Sequence, residues 1–419
     1  MTVVRKPEIR GACPGALRPM ESGDGLIVRV RPHAGTLSMA QLIAIADAGL
    51  RYGNGEIDLT RRANLQLRGI RPDTLAGVQD ILSSLGLLDR SAEAESVRNI
   101  LVSPLAGVDA RELIDVRSLA RVLEQRIGRD ERLWVLPPKF GFLLDGGGIL
   151  SLDAERADIR LRAISAEQFA FGIAGSSGVC WLGRVNASRA VDAALVAALA
   201  FASLGAAAPR RMDGVSGEVV EQLSNALKLD ALVRPPIARS QGARLGALKG
   251  AVGLGAPFGR ISAGTLLALC KEAADLGARE MRLSPWRALY ILLGDENAAF
   301  DEETAAKRLL ATAPTLGLIT SDDDPLARID ACPGAPACPC AGLDTRKAAR
   351  ALADLWPRLG IASAHVSGCP KGCARSKPAD LVLFGGETFF SVVRNGRADG
   401  MPEGRVLPSL EGLRDMIHG

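Results

Sequence analysis

Five of the eight cysteines of this 419-residue chain stand close together near its carboxyl end, among prolines and glycines. Cys332 and Cys338 form a C-x5-C pair, Cys369 and Cys373 form a C-x3-C pair, and 30 residues separate the two pairs. Two loops of this kind can place four thiolates around one 4Fe–4S cube, which is larger than a single metal ion. Proline and glycine provide the tight bends that such loops require. The spacing therefore predicts that these four cysteines bind a 4Fe–4S cluster.

Two alternatives stay open for this segment. Cys340 follows Cys338 by two residues and could replace it as the second ligand. Four thiolates can also hold structural zinc, although zinc sites favour shorter C-x2–4-C spacing, and the chain would then be a non-catalytic scaffold or electron-transfer module. A histidine-rich metal site is not expected, because the three histidines, His33, His365 and His418, are far apart in the sequence.

Composition indicates a globular protein of two to four domains, with 47% hydrophobic and 23% charged residues. The formal net charge is only +4 and no dense block of Lys or Arg occurs, so we expect no nucleic-acid partner. The basic residues are 42 Arg against 9 Lys. This excess fits either genome base composition or a substrate rich in carboxylates, which arginine binds through paired N–H donors.

Targeting and membrane signals are weak in this sequence. The amino-terminal residues lack the apolar stretch of a signal peptide. The most apolar run, residues 193–208, is rich in alanine and shorter than the ~20 strongly apolar residues of a membrane span. We therefore expect a buried helix there, no membrane association, and a cytoplasmic protein whose cysteines are reduced or metal-bound.

An internal repeat is visible between residues 35–70 and residues 264–294. Each copy begins with Gly-Thr-Leu and continues as an amphipathic helix, an A-D-x-G element and two short strands. When these shared elements are aligned, the two copies lie about 228 residues apart, and the loop of the second copy is four residues shorter than that of the first. The pattern predicts a pseudo-twofold molecule whose two halves face each other, and a monomer, because the duplication supplies its own symmetry.

The repeat suggests four units: residues 1–88, 89–233, 234–317 and 318–419. The first and third hold the repeat copies, the second is a further α+β unit, and the last contains the cysteines. Helices and strands do not alternate as in βαβ units, so the expected class is α+β with mixed sheets.

The cysteine loops, ending in SGCPKGC, resemble those of the sulfite/nitrite reductase family. In that family a 4Fe–4S cluster lies beside a sirohaem and the last cysteine bridges the two, a place that the resemblance gives to Cys373. The family also has duplicated ferredoxin-like half-domains, which the repeat resembles, so the resemblance implies such half-domains at residues 1–88 and 234–317.

Three further stretches resemble family motifs whose polar groups face the anion or the tetrapyrrole carboxylates. DLTRRANLQLRGI contributes Arg62, Asn64 and Gln66, SVRNILVSPLAG contributes Arg98 and Asn99, and LPPKFGF contributes Lys139. The resemblance implies that these residues bind substrate, and that Arg62, Arg98 and Lys139 join Cys373 in the catalytic site. Desolvated, charge-assisted donors are what carboxylate arms require.

The sequence also departs from the reductases. Gly141 stands where they have a second lysine, and Pro285 and Trp286 stand where the first repeat has Arg61 and Arg62. Lys371 replaces an asparagine within the C-x3-C loop, and we assign it to substrate binding. We therefore expect a cationic pocket with fewer cations than a reductase needs for a small anion, and keep sirohaem-dependent sulfite or nitrite reduction as the alternative function.

One branch of the superfamily, the precorrin-3B synthases, is more similar. The resemblance lies in GACPGALRPMESGDGLIVRVRP, KFGFLLDGGG and GCPKGCARSKPADLVLFGG. It implies an O2-dependent monooxygenase of aerobic cobalamin biosynthesis, which hydroxylates precorrin-3A at C20 and closes a γ-lactone with the ring A acetate. The implied cofactors are the 4Fe–4S cluster and a mononuclear iron in place of sirohaem.

Two features of that chemistry are less defined by the sequence. Candidate iron ligands are Cys373 and His365, although a hydrogen-bonded structural role is commoner for a lone histidine. No G-x-G-x-x-G motif follows a strand, so electrons from NADH are expected to arrive through a separate donor protein.

Overall fold

The computed structural model describes residues 14–239, 241–294, 301–386, 388–409 and 411–414, so residues 11–13 of the first stretch quoted above, and His418, lie outside it. Within these ranges the strands form four sheets of five strands each. The strands are β1 (Met20–Ser22), β2 (Gly25–Val30), β3 (Thr36–Ser38), β4 (Glu56–Leu59), β5 (Leu65–Ile70), β6 (Ile100–Val102), β7 (Phe142–Asp145), β8 (Ile159–Ala163), β9 (Gln168–Gly175), β10 (Gly178–Asn186), β11 (Gly246–Leu248), β12 (Ala251–Gly255), β13 (Arg260–Ser262), β14 (Glu280–Leu283), β15 (Ala288–Leu292), β16 (Ile329–Ala331), β17 (Ala364–Ser367), β18 (Ala379–Gly385), β19 (Phe390–Gly396) and β20 (Gly404–Val406).

Helices cover the faces of these sheets. They are α1 (Met39–Tyr52), α2 (Leu75–Ser84), α3 (Ala92–Val97), α4 (Arg117–Arg129), α5 (Ala187–Ala202), α6 (Gly217–Leu227), α7 (Ala263–Asp275), α8 (Glu302–Thr312), α9 (Pro325–Arg328), α10 (Thr345–Asp354) and α11 (Trp356–Leu359). The alanine-rich run that the sequence analysis placed in a buried helix belongs to α5, most of whose residues are buried. Among the described residues, no helix combines the length and apolar character needed to cross a bilayer.

The first two sheets are built on one plan and exchange a strand. Their orders are β1-β2-β5-β4-β13 and β11-β12-β15-β14-β3. Strand β3 of the first repeat pairs with β14 of the second, and β13 of the second repeat pairs with β4 of the first. The pseudo-twofold architecture expected from the sequence is therefore present, and each sheet is completed by the other half of the molecule.

The two repeats are aligned differently from the prediction. The helices begin after the N-caps Ser38 and Ser262, which are 224 residues apart, and each cap side chain accepts a backbone N–H in the first turn. The positive φ angles of Ala34 and Phe258 recur at the same separation. The Gly-Thr-Leu alignment was wrong because that tripeptide leads into α1 in one copy but lies inside the first turn of α7 in the other.

The two repeat helices share one hydrophobic core. Helices α1 and α7 pack against each other between the two sheets. Leu42 and Ile45 of α1 and Leu266 and Leu269 of α7 are almost fully buried in it. Burying apolar area contributes roughly 25 cal/mol per Å², so this shared core holds the two halves together.

The third and fourth sheets also share a topology. In each, three parallel strands are followed by two antiparallel ones, in the orders β6-β7-β8-β9-β10 and β16-β17-β18-β19-β20. The α+β class with mixed sheets is thus confirmed. Cys332 follows β16 directly and Cys369 comes soon after β17, so both cysteine loops begin at the carboxyl ends of parallel strands, the edge where α/β sheets place their ligands.

A buried carboxylate joins the first sheet to the cysteine-containing segment. Asp58 on β4 accepts hydrogen bonds from Arg68 of β5, Arg260 of β13 and Arg346 of α10, at 3.2, 2.7 and 3.2 Å. Burial would raise the pKa of Asp58, but the hydrogen bond from Arg260 and the charges of Arg346 and Arg68 lower it to about 2.

Replacing this carboxylate is expected to destabilise the fold. Asp58→Asn removes the anion that these three buried or partly buried guanidinium groups share. Arg68 keeps Asp24 and Arg260 keeps Glu56 as partners, but Arg346 loses the carboxylate with which it is paired, and we expect the free energy of unfolding at neutral pH to fall by about 3–5 kcal/mol. The folded pKa lies below the ordinary value of 3.8, so the stabilisation is present above that value and disappears as the pH falls towards 2. Denaturant unfolding across this pH range measures both effects.

The matched control is Asp73→Asn, which breaks an exposed pair with Arg71. It is expected to change the free energy of unfolding by less than about 1 kcal/mol. Equal effects of the two substitutions at neutral pH would contradict the role given to Asp58.

Candidate functional site

Backbone N–H groups surround the sulfurs of the predicted cluster ligands. The N–H of Gly368 donates to Cys332 Sγ at 3.1 Å. The N–H groups of Cys340 and Lys371 donate to the sulfurs of Cys338 and Cys369. Such donors stabilise thiolates and tune a bound cluster, so three of the four predicted ligands already lie in a suitable environment.

Close packing of the two loops explains one of the glycines. A Cβ atom on Gly368 would lie 2.5 Å from the Cβ of Ala341 and 3.5 Å from Cys332 Sγ. Only a residue without a side chain lets the second loop approach the first this closely.

The thiols affect one another electrostatically. Although part of Cys373 reaches solvent, desolvation by its surroundings and the neighbouring thiols of Cys332, Cys369 and Cys338 raise its pKa to about 11, against the opposing charge of Lys371. A group of mutually repelling thiolates is stabilised when iron binds them. The donor set therefore fits a 4Fe–4S cluster.

The choice between Cys338 and Cys340 also has a structural correlate. The backbone N–H of Cys340 donates to the sulfur of Cys338, so Cys340 stabilises the thiolate form of Cys338. This arrangement favours Cys338 as the ligand and Cys340 as its hydrogen-bond donor.

An ion cluster attaches both repeats to the cysteine loops. Asp330 on β16 accepts from Arg61 of the first repeat, Arg287 of the second and Arg375 beyond the last cysteine, at 2.5, 3.2 and 3.1 Å. Arg61 and Arg287 also donate to the carbonyl of Ala374, the residue after Cys373, at 3.2 and 3.1 Å. The two repeats thereby hold the loop that carries the last predicted ligand.

His365 lies behind this ion cluster on β17. It is fully buried, and within the described part of the chain neither ring nitrogen has a hydrogen-bond partner. Burial and the charges of Arg375, Arg287 and Arg61 outweigh Asp330 and lower the pKa of His365 to about 4. The hydrogen-bonded structural role considered for it from sequence is absent there.

A protein site for a single metal ion is not evident. Among the described residues, no three His, Cys, Asp or Glu side chains converge in a way that could hold one ion. The ligand set expected for a mononuclear iron, with Cys373 and His365 as candidates, therefore does not fit the residues present.

A cleft of about 550 Å³ lies between the first repeat, the third sheet and the cysteine loops. Residues 375–377, which begin two positions after Cys373, form part of its wall. Eight arginines and one lysine line it, against two carboxylates, Glu124 and Glu155. These cations are Arg31, Arg61, Arg62, Arg98, Arg156, Arg211, Arg244, Arg375 and Lys377. The quoted motifs account for only some of these cations, because the others come from segments outside the motifs.

Most of these cations are held by carboxylates of the protein. Seven make ion pairs, namely Arg31, Arg61, Arg98, Arg156, Arg211, Arg244 and Arg375, with Glu95, Asp330, Asp89, Asp213, Asp158, Asp322 and Asp330 respectively. Arg62 donates to the carbonyl of Lys139 at 2.9 Å, and Lys377 donates to that of Ala154 at 3.3 Å.

Four of the predicted substrate residues line this cleft: Arg62, Asn64, Arg98 and Asn99. Arg98 is buried and bound to Asp89 at 2.8 Å, which fixes it in the wall. The amide of Asn99 donates to the carbonyls of Ser96, Pro138 and Phe140. Arg62, which donates to the carbonyl of Lys139, is the second predicted cation of the cleft, while Asn99 positions the neighbouring loop.

The other three lie elsewhere. Gln66 pairs across the sheet with Asp58 and Arg29, because it stands inside β5 whereas Asn64 stands in the preceding turn. Lys139 is exposed and contributes its backbone carbonyl to Arg62. Lys371 lies in the cysteine loop, where its charge acts on Cys369 and Cys373. None of the three is a lining residue of the cleft, so their substrate role stays a prediction that this geometry does not favour.

Several lining residues were missed from sequence. Arg156, Arg211 and Arg244 belong to no motif, and Glu155 and Lys377 were not singled out. The one sequence signal for them is the excess of arginine over lysine, which fits a ligand rich in carboxylates.

The cysteine assignments can be tested by single substitutions. Cys373→Ser is expected to abolish most bound iron and acid-labile sulfide, because a hydroxyl is a poor ligand for iron here. Cys340→Ser keeps the backbone N–H that serves Cys338 and is expected to retain the cluster. Iron and sulfide analysis and absorption spectra of anaerobically purified protein measure both, and loss of the cluster in Cys340→Ser would make Cys340 rather than Cys338 the second ligand.

Comparison with known proteins identifies the family. The nitrite/sulfite reductase ferredoxin-like half domain is recognised at residues 18–85. A precorrin-3B synthase from Sinorhizobium sp. is 35% identical over 94% of this chain and 84% of its own length. A ferredoxin–nitrite reductase from Leptolyngbya laminosa is 30% identical over 88% and 78%. The structure of the Mycobacterium tuberculosis NirA protein, 20% identical, superposes with a TM-score of 0.74 over 94% of this chain and 81% of that one, and shares the fold. The chain therefore belongs to the nitrite/sulfite reductase superfamily, the one that includes the precorrin-3B synthases.

Proposed function

We propose that this chain is an O2-dependent monooxygenase that converts precorrin-3A to precorrin-3B. It would hydroxylate C20 and close a γ-lactone with the ring A acetate. The observation that carries the proposal is the wide cleft beside the cysteine loops, lined by nine cations. The similarity to a precorrin-3B synthase over most of both chains supports the same substrate class.

The substrate fits the chemistry of this cleft. Precorrin-3A is a macrocycle whose acetate and propionate arms radiate from all sides. Such a ligand needs cations distributed around a broad site, each with a fixed direction, and arginine donors provide this. In the proposed complex Arg62 and Lys377 bind arms directly, and the ion-paired arginines form a rigid polar wall that orients the ring.

The 4Fe–4S cluster, when bound to Cys332, Cys338, Cys369 and Cys373, supplies electrons one at a time. We infer that they originate from NADH and reach the cluster through a separate electron-transfer protein. The protein's residues bind the arms, hold the ring at the cleft wall nearest the last cysteine and exclude water from the covered face. No step is assigned to a mononuclear iron, because the described residues do not form a site for it.

The direct test is conversion of precorrin-3A. Protein with its cluster intact, incubated with precorrin-3A, isotopically labelled O2 and a reductant, is expected to add one labelled oxygen atom to the macrocycle, as seen by mass spectrometry. Anaerobic incubation is the control. Tightly bound stoichiometric sirohaem, together with reduction of sulfite or nitrite and no oxidation of precorrin-3A, would support the reductase alternative instead.

Substrate contact by Arg62 predicts a change in affinity. Arg62→Ala removes one charge-assisted contact, worth about 1.5–3 kcal/mol, and is expected to raise the Kd for precorrin-3A roughly 10- to 150-fold under anaerobic conditions. Iron and sulfide content should stay at the wild-type level, because Arg62 is not one of the four predicted cluster ligands.

Arg71→Ala, at an exposed position outside the cleft, is the matched control and should leave the Kd unchanged. An unchanged Kd for Arg62→Ala, measured by fluorescence or absorbance titration, would remove Arg62 from the binding site.

A further inference from the structure

The two carboxylates of the cleft differ in the hydrogen bonds and ion pairs that hold them. Glu124 accepts from the backbone N–H of Ala34 at 3.0 Å and from His33 at 2.9 Å, and lies 3.9 Å from Arg98. These contacts fix it within the wall. Glu155 makes no ion pair within 4.0 Å among the described residues, although cations surround it. A carboxyl group placed in this way is available for chemistry inside the cleft.

The backbone around Glu155 is well anchored. Its N–H donates to the carbonyl of Leu152 at 3.0 Å, its carbonyl accepts from Arg160, and Lys377 Nζ binds the carbonyl of the preceding Ala154. The indole N–H of Trp286, another residue of the cleft wall, donates to the carboxyl group. The side chain is therefore directed rather than free, which is what a proton donor requires.

The charges facing Glu155 come from several elements. Arg61 lies in the turn after β4, Lys377 follows the second cysteine loop, and Arg160 belongs to β8. Burial raises the pKa of Glu155, and the charges of Arg61, Lys377 and Arg160 with the Trp286 hydrogen bond reduce that shift without cancelling it. Carboxylate arms entering the cleft would bind the same cations and further disfavour the ionised form.

We propose that Glu155 takes up a proton when a polycarboxylate tetrapyrrole fills the cleft, and that it is the catalytic acid of the oxidation. The second half of this proposal depends on the proposed function, whereas the first requires only tetrapyrrole binding. Trp286 acts as a positioning residue, because its contact is with Glu155 rather than with the reacting atoms.

The role is consistent with the balance of the reaction. Precorrin-3A, O2, two electrons from the NADH-linked donor and two protons give the oxygenated product and one water. One oxygen atom of O2 forms a bond to C20, and a carboxyl oxygen of the ring A acetate forms a bond to the neighbouring ring A carbon. The π bond between these two carbons breaks, and the acetate proton goes to the new hydroxyl group. The O–O bond also breaks, and the other oxygen leaves as water. Glu155 supplies one of the two protons of that water, becomes a carboxylate beside Arg61 and Lys377, and is reprotonated from solvent before the next turnover.

Proton uptake can be measured without turnover. Uroporphyrin, a stable porphyrin with acetate and propionate arms, serves as the probe, and its binding heat is measured by calorimetry in buffers of different ionisation enthalpy. Wild-type protein is expected to take up more protons on binding than Glu155→Gln, by up to about one per site. Protons bound by the probe itself are common to both proteins and cancel in the difference.

Glu303→Gln, in an exposed pair with Lys307, is the matched control and should behave as wild type. Equal proton uptake by wild type and Glu155→Gln would overturn the first half of the proposal.

Turnover provides the second readout. With wild type the rate is expected to fall as the pH rises through the pKa of Glu155, since the acid form is then lost. Glu155→Gln should be about 10²- to 10⁴-fold slower and lack this limb of the pH profile, with an unchanged cluster content. A variant with the wild-type rate and profile would overturn the catalytic role. If the wild-type protein does not oxidise precorrin-3A at all, the proposed function and the catalytic role fail together, and proton uptake still decides on the first half.

Discussion

The convergence of three arginines on Asp330 is the interaction on which the site depends. One arginine comes from each repeat and one from the segment after the last cysteine. Burial alone would raise the pKa of Asp330, and these cations hold it below its usual value. Because Asp330 is two residues before Cys332 and Arg375 is two residues after Cys373, the same contacts fix the start of the first cysteine loop and the end of the second. The charge of Lys371 favours the thiolate forms of Cys369 and Cys373.

The duplication places equivalent turns of the two repeats beside the cationic cleft and the second cysteine loop. Equivalent turns of the two repeats place Ala63 and Arg287 at the same left-handed backbone position, with φ of 51° and 60°. In the first repeat the small residue leaves space, and the adjacent Arg62 lines the cleft. In the second, the arginine fills the turn and reaches the carbonyl of Ala374. An unfavoured backbone conformation for a large residue is tolerated where its side chain is strongly bound. Both repeats thus anchor the cysteine loop, through Arg61 and Arg287, and both line the cleft, the first through Arg62 and the second through Trp286.

The sequence predicted the features that depend on residues close together in the chain. It did not predict the features that depend on the packing of distant segments. Helical periodicity and strand alternation predicted the repeated helix–strand–strand unit, and the irregular order of helices and strands predicted the α+β class; the structure confirms both. The exchange of β3 and β13 could not be predicted, because three-residue strands carry almost no signal and their partners are set by the packing of α1 on α7. Gln66 belongs to the same motif as Arg62, but the motif begins in a turn and ends in β5. Arg62 in the turn lines the cleft, whereas Gln66 in the strand pairs with neighbouring strands of the sheet. Distant segments supply Arg156, Arg211 and Arg244, and only the folded chain brings them together.

The pairing pattern of the cleft bears on what kind of anion it suits. A small oxyanion gains most from several uncompensated donors that point at one place. Here the fold itself supplies carboxylate partners for at least seven of the nine lining cations, so their charge is largely balanced before any ligand arrives, while their remaining N–H groups stay fixed in direction. Each of these cations binds a ligand carboxylate only weakly, but together they offer contacts over a wide area. That property matches a large ring with many separate carboxylate arms, whose affinity is the sum of modest contacts, better than it matches an ion small enough to touch only two or three of them.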